Sequence, residues 1–268
     1  MSAKTFFPRA ATQNHRTATT RPRSPEFPIN GHSCHDIAAV MTYSKFAGGF
    51  LTLVAGRSMY TLYSMQRSGN SYKVRLALAH LRVPFRLVEI DILKGESRTP
   101  EFLAKNPNGQ VPLLEAAPGR YLAESNAILW HLASGSRLRP ENRIERAEAL
   151  QWMFFEQHSI EPNIGSAYFW LTLVKGGREL QQHALEDWME EGNRALGVME
   201  KHLKHHRYFA TERYSVADIA LYAYTHLAHE CDFDLGPFPA IRAWLARVEA
   251  EPDHVPMHWQ PAQVVAAE

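Results

Sequence analysis

Between Tyr60 and Leu78 the chain reads YTLYSMQRSGNSYKVRLAL, a short strand running straight into the polar turn Ser68-Gly69-Asn70-Ser71, which opens a helix. This junction puts two hydroxyls and a row of backbone N–H groups at a helix N-terminus. The first N–H groups of a helix lack intrahelical partners and the macrodipole is positive there, so such a terminus suits an anion. We read the anion as a thiolate.

Downstream, the pattern extends this junction into a small α/β unit. Pro84 to Ile90 alternates as a second strand, and Thr99-Pro100-Glu101 starts a short helix with proline at its first position. Asn106-Pro107-Asn108-Gly109 is a turn, Val111 to Glu115 a strand, Pro118-Gly119 a turn and Tyr121-Leu122 a short return strand. A helix carrying Ile128, Leu129 and Leu132 follows Glu124-Ser125. The order is β-α-β-α-β-β-α.

After Gly135 the strands disappear. Asn142 and Glu145 form a capping pair ahead of Ile144, Ala147, Leu150 and Phe154, which share one helix face. Arg178 to His205 reads as one long helix, with Leu185, Trp188, Leu196, Met199 and Leu203 as its apolar stripe. Ser215 caps another helix, and Asp218 in its first turn can bond back to the Ser215 N–H; both residues are expected to be structural. A last helix runs from about Pro239 to Val248. The predicted class is α/β plus all-α, with one domain over residues 59–136, a helical domain over 142–257 and a tail over 258–268.

Residues 1–58 differ from the rest. They are rich in Thr, Ser, Pro and Arg, carry only Glu26 and Asp36 as acids, and hold no helical or strand period, so disorder is expected. Their composition resembles an organellar transit peptide. A start codon placed too far upstream is the preferred account, because Met59 stands directly before the first strand.

With 268 residues, 45% of them apolar, the chain can bury one or two cores. Its 29 Lys and Arg nearly balance 28 Asp and Glu, which argues against a nucleic-acid partner held by phosphate contacts. No apolar run approaches the roughly 18 to 20 residues needed to cross a bilayer, so no membrane partner is expected. The two cysteines, Cys34 and Cys231, are both remote from Ser68, and a reducing cytoplasm fits them.

Four motifs in order resemble those of the cytosolic glutathione S-transferases, serine-type and bacterial-like, over about Met59 to Met257. They are Ser68-Gly69-Asn70-Ser71 with Tyr72-Lys73-Val74-Arg75; Asn106-Pro107-Asn108-Gly109-Gln110-Val111-Pro112; Glu124-Ser125-Asn126-Ala127-Ile128; and Ser215-Val216-Ala217-Asp218-Ile219-Ala220. The resemblance implies a thioredoxin-like N-terminal domain that binds glutathione as co-substrate. It also implies a helical domain that supplies the second substrate's pocket, and a homodimer.

Roles follow from the same resemblance. Serine-type members keep the activating hydroxyl at the end of the first strand, so Ser68 is expected to donate to the glutathione sulfur. Asn70 is expected either to orient the thiol or to cap the helix. Ser71, one turn on, is expected to cap more than to touch sulfur. Val111-Pro112 is expected to be cis, turning the Val111 backbone groups toward the ligand. Gln110 and Arg98 are candidates for glutathione carboxylates, with Lys94 as the alternative cation. Ser125 would hold the γ-glutamyl carboxylate and Glu124 its ammonium. Phe155, His158 and Tyr168 are candidate acceptor-pocket residues, drawn from an aromatic-rich stretch ending at Trp170. No metal is expected: His202, His205 and His206 lie among cations at a helix end, and His226, His229 and Cys231 have no fourth ligand nearby.

An ordinary thiol with a pKa near 8.5 is only a few per cent ionised at neutral pH. Lowering that value by about two units takes ~2.7 kcal/mol of preferential thiolate stabilisation. One charge-assisted hydroxyl and a helix N-terminus lie in that range. A cysteine at position 68 or 71 would form a mixed disulfide with glutathione, whereas serine leaves the thiolate free to attack another centre. The expected function is conjugation of glutathione to an electrophilic, apolar acceptor. A glutathione-dependent disulfide reductase or peroxidase, and a non-catalytic interaction module, remain open.

Overall fold

The computed structural model describes residues 59–261. The predicted leader over residues 1–58 and the last part of the tail lie outside the described residues.

Strand β1 (Tyr60–Ser64) pairs in parallel with β2 (Phe85–Glu89) and antiparallel with β3 (Leu113–Ala117), which pairs antiparallel with β4 (Arg120–Leu122). The sheet order is β2-β1-β3-β4. Alternation along β1 decides what covers each face. Leu62 packs with Val74 and Leu78 of α1 (Gly69–His80) and with Ile128 and Leu132 of α3 (Ser125–Leu132). Its neighbour Tyr63 points to the other face, against Phe102 of the short α2 (Pro100–Leu103) and Leu113.

Helix α1 is buried on almost every side. Val74 and Leu78 face the sheet, while Tyr72, Leu76 and Ala77 join the core of the helical half. This double burial explains its mixed apolar spacing in the sequence. Helix α8 (Val216–Thr225) is likewise buried along its whole length, which puts it at the centre of the helical half.

The helical half opens with α4 (Arg143–Phe155), which runs into π-helical turns over Glu156–Gly165, a short α5 (Ser166–Tyr168) and further π turns over Phe169–Leu173. Pro162 lies inside the first π stretch. Proline cannot donate the usual backbone bond and clashes with the carbonyl four residues back, and a widened turn relieves both problems.

Two expectations about this half are corrected. The single helix over 178–205 is α6 (Gly177–Leu180) followed, after a turn, by α7 (Leu185–Leu203). Glu186 and Asp187 mark the true N-terminus of α7, where acidic side chains suit the dipole. On α4 the buried side chains are Ala149, Trp152 and Met153, while Ile144 and Phe154 are 66% and 62% exposed. The apolar face expected from the sequence is therefore not the buried one, and of its four residues only Leu150 packs against the core. Helix α9 (Pro239–Glu249) completes the half, and the chain then returns along α1.

Asp218 ties α8 to its surroundings. One carboxylate oxygen accepts from the Ser215 N–H and O–H, each at 3.0 Å. The other accepts from the Phe209 N–H at 3.2 Å and the Trp244 indole at 3.1 Å. Asp218→Ala strands four buried donors, and each uncompensated donor costs about 1–3 kcal/mol. After local relaxation, a loss of at least about 3 kcal/mol is expected in chemical denaturation, with activity intact in the folded fraction. An unchanged unfolding midpoint would contradict this.

Titration of buried groups sets the pH dependence of stability. Burial holds the imidazoles of His80 and His226 down to about 4, so between about 4 and 6.5 the unfolded chain binds protons that the folded one does not. Stability therefore rises with pH across that window. Asp218, pushed up to about 7 by burial, keeps a proton that the unfolded chain has lost and acts with the opposite sign. Two histidines outweigh one carboxyl. The midpoint of thermal unfolding should climb toward pH 6.5, and His226→Phe should flatten the climb.

Candidate active site

A cavity of about 500 Å³ opens where the β1–α1 turn, the loop before β3, the start of α3 and the π-helical turns converge. Ser68, Asn70, Arg98, Gln110, Val111, Pro112, Glu124 and Ser125 all line it. The sequence scatters these residues over nearly sixty positions, and the thioredoxin-like topology gathers them on one wall.

Ser68 is the N-cap of α1, its Oγ accepting the Ser71 N–H at 3.2 Å. A hydroxyl that accepts at one lone pair still has its own proton to donate. Capping and donation to a sulfur are therefore compatible. Gly69 is required by close approach, since a Cβ there would fall 2.5 Å from the Tyr224 ring.

Asn70 sits in the first turn and is not the cap. Its Oδ1 accepts from the Ser125 hydroxyl at 3.0 Å, and its Nδ2 donates to Glu161 at 3.4 Å. Ser71 is corrected on both counts. It neither caps α1 nor borders the cavity; its fully buried Oγ accepts the Met65 N–H at 3.3 Å. Three residues beyond the cap, its side chain lies back over the turn, away from the cavity.

The peptide bond between Val111 and Pro112 is cis. Arg98 donates to the Asn108 carbonyl at 3.0 Å, and the Gln110 side chain accepts from that of Asn108 at 2.7 Å. Both side chains are thus anchored at the cavity rim. Glu124 precedes α3 with φ +67°, a conformation that non-glycine residues adopt at some cost and that clusters at ligand sites.

Four charged side chains behind or beside this wall, Lys73, Arg75, Glu156 and Glu161, went unread in the sequence. Lys73 is completely buried and pairs with the equally buried Glu156 at 2.7 Å, and its Nζ lies 3.4 Å from the Ser125 Oγ. Asn126 adds a bond to the same Glu156 oxygen at 3.1 Å. Arg75, also fully buried, holds the β1–α1 turn from behind. A cation inside a helical pattern reads as a solvated face, and only the double burial of α1 overrides that. Glu161, in the π stretch, reaches the cavity beside Asn70; burial, with nearby Glu156, holds its carboxyl above the usual range. Tyr224 also borders the cavity, and burial keeps its phenol protonated at neutral pH.

The acceptor side needs further correction. Tyr168 lines the cavity, joined by Phe169, Trp170 and Leu173. Phe155 instead packs edge-on against Trp152 at 5.3 Å, and His158 is exposed; neither borders the cavity. The wide π turns bring residues 157, 161 and 165 to the cavity in place of 155 and 158. Among the described residues no cluster of His, Cys, Asp or Glu could hold a metal, and no helix is long and apolar enough to cross a membrane. Cys231 is buried, and its thiol is pushed up to about 12, far from nucleophilic.

Residues 58–134 match the family described as Glutathione S-transferase, N-terminal domain, and residues 163–252 match Glutathione S-transferase, C-terminal domain. The chain belongs to the glutathione S-transferase family. A possible glutathione S-transferase from Rhodopseudomonas palustris is 70% identical, with a TM-score of 0.76 over 78% of this chain and 94% of that one. A glutathione transferase from Burkholderia graminis, solved with two glutathione molecules bound per subunit, is 28% identical, with a TM-score of 0.65 over 75% of this chain and 88% of the other. The disulfide-bond oxidoreductase YfcG of Escherichia coli K12 is 31% identical over 191 residues, 68% of this chain and 87% of its own. The glutathione S-transferase fold, thioredoxin-like and then all-helical, is the one predicted from the order of motifs.

Proposed function

We propose that the protein binds glutathione in this cavity and conjugates its thiolate to an electrophilic, apolar acceptor. The observation that carries the reading is Ser68, on the cavity wall at the N-terminus of α1, with its hydroxyl proton free of the cap it accepts. In this reading the hydroxyl donates to the sulfur, and the helix terminus adds its partial positive charge. The γ-glutamyl carboxylate lies on Ser125 and the α3 N-terminus, with Glu124 taking the ammonium. Arg98 and Gln110 face the glycyl end, and the Val111 backbone meets the cysteinyl part. Tyr168, Phe169, Trp170 and Leu173 give the acceptor an apolar surface beside the sulfur.

A second reading, glutathione-dependent disulfide reduction, is favoured by the similarity to the E. coli disulfide-bond oxidoreductase. Turnover of a chloronitrobenzene against a small disulfide and an organic peroxide separates the two. Conjugation predicts the aromatic halide as the best substrate, and preference for the disulfide would replace that reading. Failure to bind a glutathione resin would leave neither. A homodimer in the cytoplasm fits this function, and the exposed Ile144 and Phe154 on α4 offer an apolar face to a second copy.

A further inference from the structure

The residues after α9 pass back across the N-terminal half and make a series of polar contacts with one region of it. His80 Nδ1 lies 2.9 Å from the Pro252 carbonyl, and the Tyr72 hydroxyl donates to the Val255 carbonyl at 2.6 Å. The Met257 carbonyl accepts from Arg75 Nη2 at 2.9 Å and from Gln66 Nε2 at 2.9 Å, and the Trp259 carbonyl accepts from Gln66 at 3.2 Å.

Arg75 and Gln66 also belong to the turn from which Ser68 hangs, Arg75 through its side chain and Gln66 through its backbone. That turn closes through the Ser68 N–H to the Met65 carbonyl at 3.0 Å. Arg75 spans it from behind, donating to Ser64 Oγ at 2.7 Å, to the Met65 carbonyl at 3.3 Å and to the Gln66 carbonyl at 2.7 Å. Gln66 itself lies inside the turn, its N–H on Glu89 at 2.6 Å. A buried guanidinium must find acceptors for its donors, and this one takes an acceptor from the strap as well as three from the turn. Its Nε already lacks a partner, so it has no acceptor to spare.

We infer that Pro252–Trp259 is a positioning strap for the catalytic turn, acting through Arg75 and Gln66 as positioning residues that fix where the Ser68 hydroxyl points. The inference rests on the proposed role of Ser68 in holding a thiolate. It also makes the end of the helical half a determinant of chemistry in the thioredoxin-like half, although no strap residue borders the cavity.

The test uses full-length Gln66→Ala, which cuts both bonds from that side chain to the strap, and Arg75→Lys, which keeps the charge but loses the fork. Ultraviolet titration of bound glutathione reads the thiol pKa, and binding of S-methylglutathione, which cannot ionise, reads recognition of the tripeptide alone. The bound thiol should rise by about one pKa unit in Gln66→Ala, about tenfold less thiolate at a pH below the transition. Affinity for the thioether should stay within about twofold. Hydrogen exchange at the amides of residues 68–71 should quicken in the same variant, with or without ligand. If Arg75→Lys does not fold, Gln66→Ala decides, because that side chain is partly exposed and its loss leaves the core intact. An unshifted thiol pKa with unaltered exchange in folded Gln66→Ala overturns the strap. A wild-type protein that forms no thiolate would overturn the role of Ser68 instead, while exchange still decides the strap.

Discussion

Ser68→Ala should lower kcat/KM for thiol transfer by about thirtyfold, most of the ~2.7 kcal/mol of thiolate stabilisation, with the helix terminus keeping the rest. The loss should shrink as pH rises, because at a pH above the thiol's ordinary pKa near 8.5 glutathione ionises without help. A uniform loss at all pH values would mean that Ser68 serves binding alone. Removal of the cap costs the fold only about 1 kcal/mol. Ser71→Ala is the matched control. Its hydroxyl accepts the Met65 N–H within the same turn, so that variant should lose stability and move the pH–rate profile much less than Ser68→Ala does. Equal profiles for the two variants would contradict the separation of roles.

Lys73→Ala should be the most damaging single change to the fold. The pair with Glu156 is wholly buried, and removing one partner strands a charge with no water to solvate it, at about 3–5 kcal/mol. Glu156 already has one oxygen without a hydrogen-bond partner, which leaves it little to fall back on. Lys73→Met with Glu156→Leu removes both charges and should recover most of the loss, since apolar replacement of a whole buried pair is often neutral. The double variant should still bind glutathione less well, because the Lys73 ammonium sits 3.4 Å from Ser125. Denaturant unfolding of the two singles and the double measures the coupling. Additive losses would show that the pair does not act as a unit.

These two predictions also mark where the sequence was readable and where it was not. Ser68, Glu124-Ser125 and Val111-Pro112 stand at junctions between elements, where local chemistry is legible: a hydroxyl before a helix, a proline before a strand. Lys73 and Arg75 are the reverse case. Their role depends on α1 being covered on two sides by segments distant in sequence, which no local pattern reveals. Phe155 and His158 failed for a third reason. They were chosen by composition, from an aromatic-rich stretch, and the π turns around Pro162 set a register in which Glu161 reaches the cavity instead. The outward Ile144 and Phe154 show the same limit, because an apolar stripe declares a contact without saying with what.

The most direct test is the pKa of the glutathione thiol when bound, read by ultraviolet titration in the wild-type protein and in Ser68→Ala. The account predicts a wild-type value about two units below that of free glutathione, returning most of the way in the variant. A bound thiol that titrates like the free one in both proteins would contradict it.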